Sequence, residues 1–133
     1  MPRAFDAGLT LAREHDSAEM KPLLSDRLVE FAGRVCAQAR RAPRDPALEH
    51  VMRQLARSAT SPAANYAEAR EAVSSRDYVH RMKVCVKELR ECLVWLRVAC
   101  KADFRANEFQ ALAAECNELI AIGVACIRKA GSR

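Results

Sequence analysis

The sequence predicts an all-α fold, an antiparallel up-down-up-down four-helix bundle. Three observations carry this. Only 4 Gly and 5 Pro interrupt 133 residues, and aromatic residues are 5 % of the chain, which nearly excludes the turns and strand formers of an all-β domain. Hydrophobic residues reach 50 % at a net charge of +5, too apolar for a disordered chain. Apolar residues also recur at alternating spacings of four and three along four separate segments. The length suits one domain. We assign residues 24–130 to the bundle and residues 1–23 to an N-terminal arm or short extra helix of mixed polarity.

Helix one is expected from about Ser25 to Arg41, capped by Ser25 or Asp26. Leu24, Leu28, Phe31, Val35 and Ala39 form its seam, and Pro43 stops it. Asp45-Pro46 is a strong start for helix two, a capping acid followed by proline at the first helical position. Leu48, Met52, Leu55, Ala59, Pro62 and Tyr66 continue its seam through the proline, so one helix kinked near Ser61 is expected, ending near Val73. Helix three begins at Ser75 or Asp77 and ends near Lys101, with the clearest seam: Met82, Val86, Leu89, Leu93, Leu96 and Cys100. Helix four runs from about Ala106 to Arg128 on Phe109, Leu112, Cys116, Leu119, Gly123 and Cys126. Short connections between such helices favour antiparallel neighbours.

No stretch reads as a membrane span, and the N-terminal segment carries Asp6, Glu14, Asp16 and Glu19 where a signal peptide needs a continuous apolar core. A cytoplasmic protein with no membrane partner is expected. The six cysteines contain no Cys-x-x-Cys pair and have no histidine three or four residues away. They read as reduced core residues, with neither a metal site nor a disulfide framework.

The charge is not spread evenly. Residues 34–57 and residues 76–105 each carry +4, whereas residues 106–127 carry −3. On helix three, Arg76, His80, Lys83, Lys87, Arg90, Arg97 and Lys101 share one face, opposite Cys85, Cys92 and Ala99. A basic stripe of this kind is the footprint of a polyanion-binding surface. A plain solvated face, with Glu88 and Glu91 pairing with the neighbouring Lys87 and Arg90, explains the same pattern. Without interleaved aromatic residues, binding would be directed at the phosphate backbone. Trp95 lies off the main seam and either wraps the bundle edge or marks an interface between subunits.

Gln54, Ser58, Ser61, Asn65 and Glu68 line up beside the apolar seam of helix two. A hydrolase site would need a His or Cys base in this stripe, and none is there. A hydrogen-bonded stripe that fixes helix register around Pro62 is the simpler reading. The paired Glu-x-x-His motifs of di-iron bundles are also missing. These features point to no catalysis, no metal and no cofactor.

The segment Gln54-Leu55-Ala56-Arg57-Ser58-Ala59-Thr60-Ser61-Pro62-Ala63-Ala64-Asn65-Tyr66-Ala67-Glu68-Ala69 resembles a motif of the 23S rRNA intervening-sequence protein family. Ser75-Arg76-Asp77-Tyr78, then Lys87-Glu88-Leu89-Arg90-Glu91 leading to Trp95-Leu96, resemble its second block. The similarity spans roughly residues 24–128. It implies a left-handed antiparallel bundle that assembles as a homopentamer around a central channel. A relative in diversity-generating retroelements is a basic pentameric barrel that binds nucleic acid and a reverse transcriptase, so RNA or DNA and such an enzyme are the implied partners. By position, Arg57, Ser58, Ser61, Asn65 and Glu68 match the first motif, and Lys87, Glu88, Glu91 and Trp95 the second. Ala69 replaces the glycine of many members. Three functions follow in order: a nucleic-acid-binding accessory protein using Arg76, Lys83, Lys87, Arg90, Arg97 and Lys101; an assembly scaffold joined through Trp95; and a metal or small-molecule enzyme.

Overall fold

A computed structural model describes residues 23–102 and 105–132. Four helices form: α1 Leu24–Arg40, α2 Pro46–Arg70, α3 Ser75–Ala102 and α4 Ala106–Gly131. No strand occurs among the described residues. The expected arm lies, apart from Leu23, outside them. Around the bundle, α1 packs on α2, α2 on α3, α3 on α4 and α4 on α1, and neither diagonal pair approaches as closely.

The predicted seams meet at the centre. Leu28, Phe31 and Val35 of α1 join Met52, Leu55 and Ala59 of α2. Against them pack Val86, Leu89 and Leu96 of α3 and Phe109, Leu112 and Leu119 of α4. Each large side chain so buried contributes about 1.5–3 kcal/mol relative to exposure. Seam residues near helix ends, Leu24, Ala39, Tyr66 and Cys100, are half-buried because fewer neighbours surround them, and Leu93, further inside α3, is half-buried too.

Helix termini follow local chemistry, with two departures from expectation. Asp45 caps α2 as expected, its Oδ1 accepting from the amides of Ala47 at 3.0 Å and Leu48 at 3.1 Å. For α1 the capping position is Leu23, which offers no side-chain bond, and Ser25 and Asp26 fall inside the first turn. Leu24 packs against the core, so burial draws the helix start ahead of the serine. Helix α3 begins at Ser75, one of the two expected starts, and Ser74 just before it is the cap. The Ser74 hydroxyl accepts from the Asp77 amide at 3.0 Å while the Asp77 carboxylate accepts from the Val73 amide at 3.3 Å, a near-reciprocal capping box. Helix α2 ends at Arg70, short of Val73, because Val73 is 92 % exposed and has no packing to hold a further turn. Pro62 is buried inside a helix that continues on both sides of it.

Against the expectation of no membrane-length stretch, α4 is long and apolar enough to cross a bilayer, with a mean hydropathy of 1.4 over its most apolar window. Abundant alanine raises that mean. In the bundle its large side chains pack in the core, and Glu115 and Glu118 bind Arg27 of α1 at 2.8 and 2.7 Å.

The cysteines are free, and Cys85, Cys92 and Cys116 are buried. Cys85 Sγ donates to the Pro62 carbonyl at 3.5 Å, and Cys116 Sγ to the Leu89 carbonyl at 3.3 Å. These thiols tie α2 to α3 and α3 to α4. Burial pushes Cys85 up to about 12, and a hydrogen bond with Cys92 together with burial pushes Cys116 in the same direction. The folded chain therefore holds these protons after the unfolded chain has released them. The unfolded chain binds fewer protons above pH of about 9, so stability falls with rising pH, by about 1.4 kcal/mol per unit per thiol, until the folded thiol itself ionises. Urea melts at pH 8 and pH 10 should show this loss, and Cys85→Ala should flatten part of it.

Candidate nucleic-acid interface

Consecutive helical residues are rotated by 100°, so the three-and-four spacing of basic residues on α3 brings them to one side while the apolar seam takes the other. Arg76, Lys83, Lys87, Arg90, Arg97 and Lys101 are all exposed, and so is His80. None of these six cations is paired with a carboxylate among the described residues. The stripe spans 25 helical rises, roughly 38 Å, comparable to about eleven base steps of a duplex.

The acids that should have neutralised it are turned away. Glu88 and Glu91 do not pair with Lys87 or Arg90. They face α2, where the Arg57 guanidinium lies 3.6 Å from Glu88 Oε1 and forms an ion pair with Glu91. The same Arg57 donates to Gln54 Oε1 from Nε at 3.4 Å and from Nη2 at 3.3 Å. Trp95 Nε1 donates to Glu91 Oε2 at 3.2 Å, and the Trp95 ring meets His50 edge-on with centroids 5.7 Å apart. The two family motifs thus converge in one cross-helix cluster, and Trp95 sits half-buried at its edge. Further along, Arg81 Nη1 reaches Glu68 at 2.6 Å and Arg81 Nε reaches Asp77 at 3.2 Å. Contacts between α2 and α3 therefore run in opposite sequence order: Arg57 with Glu91, Pro62 with Cys85, Glu68 with Arg81.

The serines of the first motif bond their own helix. Buried Ser58 donates to the Gln54 carbonyl at 2.9 Å, and Ser61 to the Arg57 carbonyl at 3.0 Å. Both hydroxyls are engaged by carbonyls of their own helix, so Ser58 and Ser61 serve helix geometry. Asn65 is half-buried on the same stripe. Among the described residues, no cluster of three or more His, Cys, Asp or Glu could hold a metal ion.

Sequence reasoning missed His50 as a partner of Trp95 and Arg27 as the clamp on α4. His50 lies one turn before Gln54, so its place on the cluster was available from helical spacing. The pairing of Arg27 with Glu115 is separated by 88 residues and leaves no local signal.

The description "23S rRNA-intervening sequence protein" matches residues 25–124, which includes both motifs and most of all four helices. The chain belongs to this family. A solved structure of a protein of unknown function from the S23 ribosomal protein family of Bacteroides thetaiotaomicron shares the fold at a TM-score of 0.73 and 23 % identity. That similarity covers 79 % of this chain and 98 % of the other. No curated protein matches the sequence. In this family member, Ser74 and Asp77, the latter in the second motif block, build the α3 cap, and Arg57, Glu88 and Glu91 build the cross-helix cluster.

Proposed function

We propose that this protein is a non-enzymatic, cytoplasmic nucleic-acid-binding or ribonucleoprotein accessory factor, an antiparallel up-down-up-down, left-handed bundle assembled as a homopentamer. The observation that supports it most is the unpaired basic stripe of α3, kept free of acid because Glu88 and Glu91 are held by Arg57. Arg76, Lys83, Lys87, Arg90, Arg97 and Lys101 contact phosphates without reading bases. Self-association uses the outer side of α4, where Ala111, Ala114, Ala121 and Ala125 are exposed and no Lys or Arg occurs from residue 106 to residue 127. Small side chains let a second copy approach closely, and half-buried Trp95 supplies an aromatic edge. Repetition of the stripe around a ring multiplies the field that attracts polyanions. A reverse transcriptase is the protein partner that the family resemblance adds.

A scaffold without nucleic-acid binding is the second reading. It is favoured by Val94, 53 % exposed, and Val98, 37 % exposed, which interrupt the basic face. Light scattering together with binding of a labelled RNA or DNA duplex across a salt series separates the two. A pentamer that retains the duplex at 50 mM salt and releases it steeply by 200 mM supports the first reading. A stable oligomer with no retention at the lowest salt supports the second.

A further inference from the structure

The charge of +4 carried by residues 34–57 lies outside the α3 stripe. One of its cations, Arg57, is taken by Glu88 and Glu91. Arg40, Arg41 and Arg44 gather at the turn between α1 and α2, and all three are exposed. None of them pairs with a carboxylate among the described residues. Asp45, their neighbour in the chain, is engaged by the amides of Ala47 and Leu48 as the cap of α2. The turn itself is anchored. Ala42 packs against the core, its amide donates to the Ala39 carbonyl at 3.3 Å, and the Arg41 amide donates to the Gln38 carbonyl at 3.1 Å. Pro43 and Pro46 fix φ on either side of Arg44. The three arginines therefore rise from an ordered backbone, which lowers the entropy cost of gripping a partner.

This turn stands at the end of the bundle where α3 finishes. Gln38 Oε1, in the last turn of α1, accepts from Arg105 Nε at 2.9 Å, at the start of α4 and a few residues past the end of α3. The exposed Arg97 and Lys101 bring the stripe to the same end. Packed helix axes lie about 8–10 Å apart, so a partner that touches both the stripe and the turn must bend round the bundle edge within one or two such spacings. A duplex is too stiff for that, the persistence length of DNA being about 50 nm. An unpaired strand, with its bases splayed out, bends freely. All three cations of the turn are arginine, whose planar fork takes phosphate oxygens in pairs and stacks on exposed base faces. We propose that the α1–α2 turn, through Arg40, Arg41 and Arg44, binds the unpaired end of a nucleic-acid strand whose paired portion lies on α3, a step that rests on the phosphate-binding reading of that helix.

Two labelled RNA duplexes of about eleven base pairs, one blunt and one extended by about six unpaired nucleotides, separate the two surfaces in a filter-binding assay. The extension is expected to tighten binding by the unaltered protein about tenfold. Arg40→Gln, Arg41→Gln and Arg44→Gln together should remove that gain while leaving the blunt duplex bound as before. The salt slope for the extended RNA should become shallower by about two, at about 0.7 for each single-strand phosphate released. Circular dichroism checks that the helices persist, and should the triple variant lose helix, Arg44→Gln alone is read in the same way for a partial loss of the gain. An extension that brings no gain, a gain that survives the substitutions, or equal weakening of both RNAs overturns the proposal while leaving the α3 reading in place. Failure of the unaltered protein to bind either RNA overturns the α3 reading and this proposal with it.

Discussion

Reversal of three stripe residues, Lys83→Glu, Lys87→Glu and Arg90→Glu together, is expected to abolish nucleic-acid binding while the bundle stays folded. The change removes three cations and adds three anions on each protomer, all at exposed positions of α3. Surface substitutions away from packed or capped positions usually alter stability by no more than about 0.5 kcal/mol each. Binding should respond far more strongly. A surface making six or more phosphate contacts loses roughly 10³-fold or more in affinity between 50 and 200 mM salt, with a log–log slope of about −0.9 per contact. Neutralising a single residue, Lys87→Ala, should make that slope shallower by about one. The triple reversal should leave no measurable retention even at the lowest salt. Binding that survives it with the slope unchanged would place the contacts elsewhere. Substitution of Arg57 makes an informative companion. Arg57→Ala frees Glu88 and Glu91 to turn towards Lys87 and Arg90, so affinity should fall although Arg57 itself contacts no phosphate.

This companion effect also shows where the sequence was legible and where it was not. The seams of α1 to α4 were readable because burial on one side of a helix imposes a repeat that any window of residues displays. Asp45 before Pro46 was readable because capping is a contact of two or three residues' reach. Ends decided by tertiary packing were not. Leu24 enters α1 because the core holds it, and α2 stops before Val73 because nothing does. The basic stripe was visible as a pattern, but its net charge depended on which way Glu88 and Glu91 turn. Helical neighbours made Lys87 and Arg90 plausible partners. An exposed intrahelical pair stabilises by only about 0.2–0.5 kcal/mol, so a guanidinium from α2 that binds both acids at once outcompetes it. Of the six cysteines, Cys36, Cys100 and Cys126 are only half-buried; Cys85, Cys92 and Cys116 were legible as core residues. Their hydrogen bonds to the Pro62 and Leu89 carbonyls were not, because those carbonyls lie on neighbouring helices.

Gly123→Val is expected to be the most destabilising single substitution at a small residue of α4, and Val86→Ala in the same chain is expected to rescue much of the loss. A Cβ placed on Gly123 would lie 2.7 Å from Val86 Cγ2, closer than real contacts allow. Val86 is buried and β-branched, so its methyl has few ways to withdraw. Replacing glycine inside a helix gains up to about 1 kcal/mol of backbone propensity for alanine and less for a β-branched residue. Overpacking a close-packed core costs about 1–3 kcal/mol, and valine adds two methyl groups beyond the first clash. For Gly123→Ala the two effects oppose each other and the net loss should be small. For Gly123→Val the steric cost wins, with a net loss of about 2 kcal/mol, or several degrees in Tm, measured at fixed protomer concentration. Val86→Ala alone leaves a cavity and lowers stability too, so the double variant should be more stable than the sum of the two losses predicts. A favourable coupling above about 1 kcal/mol in that cycle identifies the Gly123–Val86 approach as the contact that sets the spacing of α3 against α4. Additive losses would locate the strain elsewhere. Lys83, Lys87 and Arg90 are exposed and keep their charges in this variant, so the salt slope of nucleic-acid binding should not change at a temperature where Gly123→Val remains folded, which separates a defect of packing from a defect of the stripe.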